Sequence, residues 1–180
     1  MPGTVIVGAQ FGDEGKGKVT DFCADKTDIV VRYQGGNNAG HTVVVGEEVL
    51  KFHLLPSGVV HGKRILIGAG VVLDPRVLKQ EISGLRGRKI NLGIDPRTHI
   101  IMPWHNLLDE GRESARGATK IGTTKRGIGP CYADKAERTG IRFEDLVDEK
   151  KLREKINEFF PVKKAILEKV YGIKVPFDEG

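Results

Sequence analysis

Short β-branched runs alternate with polar, glycine-rich segments along the first hundred residues of the chain. TVIVG (4–8) and DIVVRY (28–33) are typical of strands that are covered on both faces, and a helix is predicted between them over 16–25. RILIGAGVVLD (64–74) and HIIMPW (99–104) are further strand candidates. A strand, a glycine turn, a helix and a strand predict a βαβ unit. We therefore expect an α/β protein with a mostly parallel sheet.

A hairpin and a helix are predicted in the middle of the chain. TVVVGEEVLKFH (42–53) predicts two strands joined by a turn at Gly46 and Glu47. Residues 105–116 predict a helix, and a glycine-rich loop is expected at 117–130. Two ion pairs three residues apart are expected along the helix, Asp109–Arg112 and Glu113–Arg116.

The C-terminal part, 147–172, predicts a helical appendage. Apolar residues recur there at helical spacing on either side of Pro161, which is expected to end a first helix and to precede a second. The first stripe is Leu152, Ile156, Phe159 and Phe160, and the second is Val162, Ile166 and Val170. We expect both helices to cover the core. Because the chain ends in VPFDEG, without a strand or helix that would close an α/β sheet, we expect it to be truncated at the C-terminal side of a longer chain.

Composition narrows the class of partner. Apolar residues make up 39% and charged residues 29%, as in soluble globular proteins, and the net charge of +5 favours nucleotides, small acids or nucleic acid. A nucleic-acid module would interleave aromatic residues with cations, but aromatic residues are only 6%, so neither nucleic acid nor membrane is expected as a partner. Cys23 and Cys131 lie far apart and form no CxxC, and no apolar stretch is long enough to cross a bilayer. We expect a cytoplasmic protein.

The segment GDEGKGK (12–18) is a candidate phosphate-binding turn. It fits GxxxxGK after a predicted strand and before a predicted helix, so its backbone N–H groups and lysines could hold phosphate oxygens. Val19 stands where the Walker A loop has the hydroxyl that holds Mg²⁺. A carboxylate of Asp13 or Glu14 could replace that hydroxyl as a metal ligand, or act as a base. The alternative is that the glycines serve only a tight turn.

Two further glycine-rich segments are candidate site loops. RYQGGNNAGHT (32–42) follows a predicted strand, and ligands of open α/β sheets bind beyond the carboxyl ends of strands, so we expect it beside the phosphate turn. Asn37 and Asn38 could contact a base edge, and His41 is either a catalytic or charge-stabilising residue or a structural histidine. GATKIGTTKRGIGPCYADKAERTGIR (117–142) is either an anion-binding loop or a flexible surface loop.

Four motifs together resemble the adenylosuccinate synthetase family, whose members use GTP to join IMP to L-aspartate in AMP synthesis. They are QFGDEGKGK, VVRYQGGNNAGHT, IGAGVVLDP and IGTTKRGIGPCYADKAERTGIR, in the family's order and spacing. The resemblance covers residues 4 to about 148. The chain departs from the family pattern at Asn37, where histidine is common, and at Phe11, which stands for the usual tryptophan. The resemblance implies that residues 1–180 form a single α/β nucleotide-binding region, a partial domain.

The resemblance also implies roles for individual residues. Asp13 would take the N1 proton of IMP as general base and would ligate Mg²⁺, with the Gly40 carbonyl as second protein oxygen. O6 of IMP would then attack the γ-phosphate of GTP, His41 would stabilise the charge that develops, and aspartate would displace phosphate from the 6-phosphoryl-IMP intermediate. Arg138 would reach the IMP phosphate of a partner subunit, which implies a homodimer. The alternative is that Arg138 is a solvated helix charge near Lys135.

Two residue sets follow from the resemblance. GTP would be bound by Gly12, Asp13, Glu14, Gly15, Lys16, Gly17, Lys18, Gly40, His41 and Thr42. IMP would be bound by Asp13, Glu14, Gly15, Lys16, Asn38, Ala39, Gly40, His41, Thr124 and Arg138. The family's guanine- and aspartate-binding residues lie downstream of these segments.

The main rival is another P-loop phosphotransferase that uses GTP or ATP. A GTPase switch would need DxxG after an apolar strand, whereas Asp74 ends such a run and is followed by Pro75, Arg76 and Val77.

Overall fold

The computed structural model describes residues 3–10, 14–119 and 121–177. Within these residues the helices are α1 (Lys16–Ala24), α2 (Pro75–Gly84), α3 (Pro103–Ala115), α4 (Ile128–Glu137), α5 (Phe143–Leu146) and α6 (Glu149–Ala165). The strands are β1 (Ile29–Arg32), β2 (His41–Val45), β3 (Glu48–Phe52), β4 (Arg64–Ile67), β5 (Val72–Leu73), β6 (Asn91–Ile94) and β7 (His99–Ile100). The expected α/β class is confirmed.

The strands form a parallel sheet, a parallel pair and a hairpin. β1, β4 and β6 lie side by side in that order and are parallel, with Val30 opposite Ile65 and Ile65 opposite Leu92. β5 and β7 form a second parallel pair. β2 and β3 form the predicted antiparallel hairpin, with the turn at Gly46 and Glu47. The mostly parallel sheet is thus confirmed, and Ile65 and Ile67 of the middle strand lie in the core.

The predicted strand at 4–8 is wrong. Residues 3–8 pair with no strand of the described chain, and Val5 and Val7 are 73% and 70% exposed. The Tyr33 hydroxyl donates to the Ile6 carbonyl at 3.3 Å. β-Branched residues favour extended backbone, but a strand also requires a ladder partner, and residues 3–8 form no ladder with β1, which pairs with β4. The described chain therefore lacks the predicted βαβ unit.

The strand predicted at 99–104 is shorter than expected, and three helices, α2, α4 and α5, were not predicted. β7 ends at Ile100 because Pro103 occupies the first turn of α3, a position that suits proline. α2 begins at the N-cap Asp74, whose carboxylate accepts from the Arg76 N–H at 2.9 Å. α4 begins at 128, inside the loop expected at 117–130.

Pro161 does not end the first tail helix. α6 runs through Pro161 and continues into a π turn at Ile166–Val170. Phe160 and Leu167 on either side of the proline are fully buried in the core, and Pro161 itself is exposed. This burial outweighs the one backbone hydrogen bond that a proline removes. The tail covers the core as expected, but as one continuous helical segment.

A buried polar cluster joins the helices α3, α4 and α6. The Asp134 carboxylate on α4 accepts hydrogen bonds from His105 Nε2 on α3 at 2.9 Å and from Lys163 Nζ on α6 at 2.5 Å. His105 Nδ1 accepts from the Met102 N–H at 2.9 Å, so Nε2 carries the proton that reaches Asp134. Burial lowers the pKa of His105. The cluster fixes α4 between its neighbours in the described fold. No helix of the described residues has the length and apolar character to cross a membrane.

Candidate functional site

The turn before α1 presents backbone N–H groups at a helix N-terminus. Gly15 is the N-cap residue, with a φ of +79° that favours glycine, and α1 begins at Lys16. The N–H groups of the first helical turn have no intrahelical acceptor and are suited to bind an anion. Gly12 and Asp13, and also Phe11, lie outside the described residues.

The described part of this turn folds tightly around Glu14. Its carboxylate pairs with Lys16 Nζ and accepts from the Gln10 N–H at 3.0 Å. A Cβ added at Gly8 would lie 2.5 Å from Lys16 Nζ and 2.7 Å from Glu14 Oε1. A side chain at Gly8 would therefore displace the ends of the Lys16 and Glu14 side chains. Lys18 is exposed beside this cluster.

The second segment lies directly against the first. A Cβ added at Gly17 would lie 2.6 Å from the His41 Cβ, so helix α1 and the start of β2 touch at these two residues. The structure thus brings 14–18 and 32–42 together, as expected from their positions in the chain. A glycine at 17 is required by this contact.

His41 is held in a half-buried position at the start of β2. Its ring packs against Phe52 on β3, with 5.8 Å between ring centroids. Its Nε2 is buried and has no partner among the described residues. Burial, and then the charge of Arg32, lower the pKa of His41. The imidazole is therefore neutral at physiological pH, and its buried Nε2 is left without a hydrogen bond to the described residues.

The two asparagines of the second segment differ in environment. Asn37 is 2% exposed, and its carbonyl accepts a hydrogen bond from Arg126 Nη1. Asn38, Ala39 and Gly40 are exposed. Asn38 is therefore available to a ligand, whereas Asn37 lies inside the protein.

The third segment is anchored by carboxylates of α3. Glu113 accepts from the Gly122 N–H at 2.6 Å, and Asp109 accepts from the Gly127 N–H at 3.0 Å. The expected pairs with Arg112 and Arg116 are wrong, because both carboxylates are buried and turned to the loop, where unpaired N–H groups need acceptors. The N–H groups of the loop lower the pKa of Glu113. These bonds hold both ends of 122–127, and Thr124 between them is exposed.

α4 joins the third segment to the second. The Tyr132 hydroxyl accepts from the Gly35 N–H at 2.9 Å and donates to the Gly70 carbonyl at 2.7 Å. A Cβ at Gly36 would lie 2.5 Å from Ile128 Cδ1. Together with the bond from Arg126 to Asn37, these contacts place all three candidate segments at one end of the parallel sheet.

Arg138 belongs to the third segment and lies at the C-terminal end of α4. It has a φ of +63° and caps the helix through backbone bonds. Its side chain is exposed, and no other residue in the described ranges bonds its guanidinium. Within the described residues it is therefore an exposed, unpaired cation.

Two residues behind the second segment were missed by the sequence analysis. Arg32, at the end of β1, donates to backbone carbonyls, and Glu81 of α2 accepts backbone N–H groups of 53–55. A charged residue in the apolar run DIVVRY was a signal for Arg32. Glu81 gives no such signal, because acidic residues are common on helix surfaces.

The described residues supply oxygen donors rather than a closed metal site. No group of three or more His, Cys, Asp or Glu side chains within 3–10, 14–119 and 121–177 could hold a metal. The Gly40 carbonyl is a hard oxygen donor on an exposed loop. Mg²⁺ takes few protein ligands and keeps waters and substrate phosphates. The donor set therefore fits a nucleotide-associated Mg²⁺.

The comparisons with known proteins agree with this arrangement. The family model for adenylosuccinate synthetase matches residues 5–179. The chain belongs to the adenylosuccinate synthetase family. The family member from Carboxydothermus hydrogenoformans is 57% identical over 178 residues, and that from Heliobacterium modesticaldum is 55% identical over 177. The matches cover 97% and 96% of this chain, which spans 42% of the length of either relative.

Solved structures of the family share the fold. The fully ligated adenylosuccinate synthetase from Plasmodium falciparum has a TM-score of 0.82 and 36% identity, over 96% of this chain and 40% of its own. The succinoaminodeoxyadenylate synthetase of cyanophage S-2L, bound to dGMP and to dATP as an energy donor, has a TM-score of 0.63 and 25% identity. It covers 78% of this chain and 40% of its own.

Proposed function

We propose that the protein carrying this chain is a GTP-dependent ligase that forms adenylosuccinate from IMP and L-aspartate. The contact of Gly17 with His41 is the observation that carries the proposal, because it joins an anion-binding helix N-terminus to a neutral imidazole with a free buried nitrogen. Membership of the family supports the same activity.

The proposed reaction has two steps. Asp13 takes the proton from N1 of IMP, which makes O6 a nucleophile, and O6 attacks the γ-phosphorus of GTP with loss of GDP. The product is 6-phosphoryl-IMP. The amine of aspartate then attacks C6, phosphate leaves with the former O6, and the amine loses a proton.

The GTP phosphates are assigned to the start of α1 and to the start of β2. The N–H groups that follow Gly15 and the cations Lys16 and Lys18 would bind phosphate oxygens, with Gly40 and Thr42 on the facing loop. His41 would donate a hydrogen bond to the oxygen on which charge develops. A neutral imidazole can do this through one ring nitrogen.

IMP is assigned to the exposed residues of the other two segments. Asn38 and Thr124 are exposed on loops joined by the bond from Arg126 to Asn37. We place Arg138 at the IMP phosphate of a partner subunit in a homodimer, since its guanidinium is exposed and bonds no other residue of the described ranges. We also place the enzyme in the cytoplasm, which agrees with its two free cysteines.

Mg²⁺ would be held by Asp13 and the Gly40 carbonyl, and when bound it would neutralise charge on the phosphates. The residues of the chain have the remaining tasks. The N-terminus of α1 binds the GTP phosphates. Asn38 and Thr124 orient IMP, and Asp13 holds the proton that N1 loses.

The experiment is an assay of the full natural protein with IMP, L-aspartate and either GTP or ATP. Adenylosuccinate, followed by mass, should form with GTP and much less with ATP. The ATP arm is informative because the cyanophage relative is bound to dATP as an energy donor. Equal rates with ATP would overturn the assignment of GTP, and no product with either nucleotide would overturn the proposed ligase.

A further inference from the structure

Arg32 holds two parts of the chain that flank the site. Its Nη1 donates to the His53 carbonyl at 2.5 Å and lies 3.4 Å from the Leu54 carbonyl, and its Nη2 donates to the Gly36 carbonyl at 2.5 Å. Burial lowers the pKa of Arg32, and it stays protonated because its ordinary pKa is so high. One planar cation at the end of β1 thus binds the glycine loop and the segment that follows β3.

Glu81 holds that same segment from the opposite side. Its carboxylate accepts from the N–H groups of His53 at 2.5 Å, Leu54 at 3.2 Å and Leu55 at 2.9 Å. Its Oε1 also lies 3.5 Å from His53 Nδ1. Glu81 is buried, so these bonds replace the water that the carboxylate has lost. The carbonyls of His53 and Leu54 are therefore bound by a cation, and the N–H groups of 53–55 are bound by an anion.

Arg32 and Glu81 together form a clamp on the segment 53–55, and this segment supports Gly40 and His41. A Cβ at Gly40 would lie 3.1 Å from His53 Nε2, so the His53 ring lies against the loop. Phe52, the residue before the clamp, is the ladder partner of His41 and packs on its ring. A shift of 53–55 is therefore transmitted to the two residues placed at the γ-phosphate.

We infer that Arg32 and Glu81 are positioning residues for the phosphoryl-transfer step, which they serve by fixing the backbone of Gly40 and His41 through the segment 53–55. The inference rests on the proposed function of Gly40 and His41. Neither residue touches the reacting atoms. Misplacement of a catalytic group by about 1 Å can lower a rate by about 10²-fold, so the expected defect is in turnover rather than in substrate affinity.

The test uses Arg32→Lys and Glu81→Gln in the full natural protein. Lysine keeps the charge but lacks the planar fork that reaches several carbonyls, and glutamine keeps one acceptor but loses the carboxylate. We expect kcat to fall by about 10- to 100-fold in either variant, with the KM for IMP and for GTP changed by less than about threefold. Hydrogen exchange should become faster in peptides that cover 36–42 and 53–55. Melting temperature is measured alongside.

Arg97→Lys is the matched control for Arg32→Lys. Arg97 also uses its fork, with Nε 3.1 Å and Nη2 3.0 Å from the Asp95 carboxylate, but it is exposed at the surface. This variant should keep kcat, both KM values and the exchange pattern. This control shows how the loss of a guanidinium fork affects kinetics and hydrogen exchange at a position outside the clamp.

The possible outcomes show whether the proposed clamp fails or the proposed function fails. Wild-type kcat and exchange in both variants would overturn the clamp, as would a loss of kcat accompanied by equal loss of substrate affinity and melting temperature. If the natural protein forms no adenylosuccinate, the proposed function fails, and the exchange data decide the clamp: faster exchange in 36–42 supports it, and unchanged exchange overturns it. If Arg32→Lys does not fold, Glu81→Gln gives the same decision.

Discussion

At the residue scale, His41 combines a pKa lowered by burial and by Arg32 with a buried Nε2 that bonds no residue of the described part of the chain. Its imidazole is packed on Phe52 and against Gly17, so its position does not depend on a bound ligand. Such a group stabilises developing charge without having to move during the reaction.

The replacement His41→Asn should therefore remove turnover and leave IMP binding largely intact. Loss of one such donor lowers kcat by about 10²–10³-fold. Steady-state kinetics on the full natural protein give kcat and the KM for IMP. A variant with wild-type kcat and a raised KM would show that His41 orients substrate and does not assist transfer.

His105 determines part of the pH dependence of stability. Burial lowers its pKa, as do Lys163 and Arg112, while the Asp134 carboxylate raises it. Below about pH 6.5 the unfolded chain binds a proton at His105 that the folded chain resists. The contribution of the neutral His105 to the free energy of unfolding is therefore fully present above that pH and is lost as the pH falls. Asp134, whose own pKa is raised by burial but lowered further by His105 and Lys163, loses its contribution only in stronger acid.

His105→Gln should weaken this pH dependence between pH 7.5 and pH 5, because glutamine can still donate to Asp134 but does not titrate there. Urea midpoints at several pH values measure it. Some dependence should remain, since burial also lowers the pKa of His99. His61→Gln, at an exposed pair with Asp21, is the control. An unchanged slope in His105→Gln would contradict the assignment.

At the element scale, α3 supports the loop that carries Thr124 through the buried carboxylates of Glu113 and Asp109. The same helix also carries Glu110, whose pair with Lys125 in that loop is exposed on both sides. Exposed pairs contribute little, whereas a buried acceptor of backbone N–H groups is costly to lose.

Glu113→Gln should therefore raise the KM for IMP several-fold, and Glu110→Gln should leave it unchanged. Kinetics on the full natural protein, with the KM for GTP as internal reference, distinguish the two positions. Equal effects at both glutamates would mean that the loop is held by surface charge and not by the buried anchor.

The elements differ in how well the sequence predicts them. Helix α1 and the hairpin follow from local signals, namely the glycine at the N-cap of α1 and Gly46, whose φ of +62° suits the turn. The strand expected at 4–8 failed because pairing depends on neighbours that β-branched composition does not specify. Pro161 gave a local stop signal that the burial of Phe160 and Leu167 overrode.

The sequence predicted which loops form the candidate site, but it did not predict the residues that hold those loops in place. The rule that ligands bind beyond the carboxyl ends of strands predicted that 12–18 and 32–42 lie side by side, and the described parts of both do. The partners of Glu81, Glu113 and Arg126 are backbone groups that lie far away in sequence. No periodic pattern encodes such contacts, so they were missed or assigned to surface ion pairs.

At the scale of the whole molecule, the chain spans 42% of the length of these two relatives, and phosphate binding and the first chemical step are the roles proposed for it. The proposed homodimer adds one residue, Arg138, from a second subunit. A two-fold dimer has two equivalent sites, each built from both subunits.

Subunit mixing tests this arrangement. Full-length Arg138→Leu and full-length Asp13→Asn should each be nearly inactive, yet equal mixing should restore about a quarter of wild-type activity, because about half of the dimers are mixed and each has one intact site. Mass measurement verifies that mixed dimers form. Activity that stays at the level of the parents would show that Arg138 does not act across the interface.

The central claim is that O6 of IMP attacks the γ-phosphate of GTP, and oxygen tracing tests it most directly. The full natural protein is given GTP, L-aspartate and IMP labelled with ¹⁸O at position 6, and the released phosphate is examined by ³¹P NMR. The account predicts one ¹⁸O in each phosphate formed, because the former O6 leaves bonded to phosphorus. Unlabelled phosphate, with the label in water, would contradict the phosphorylated intermediate.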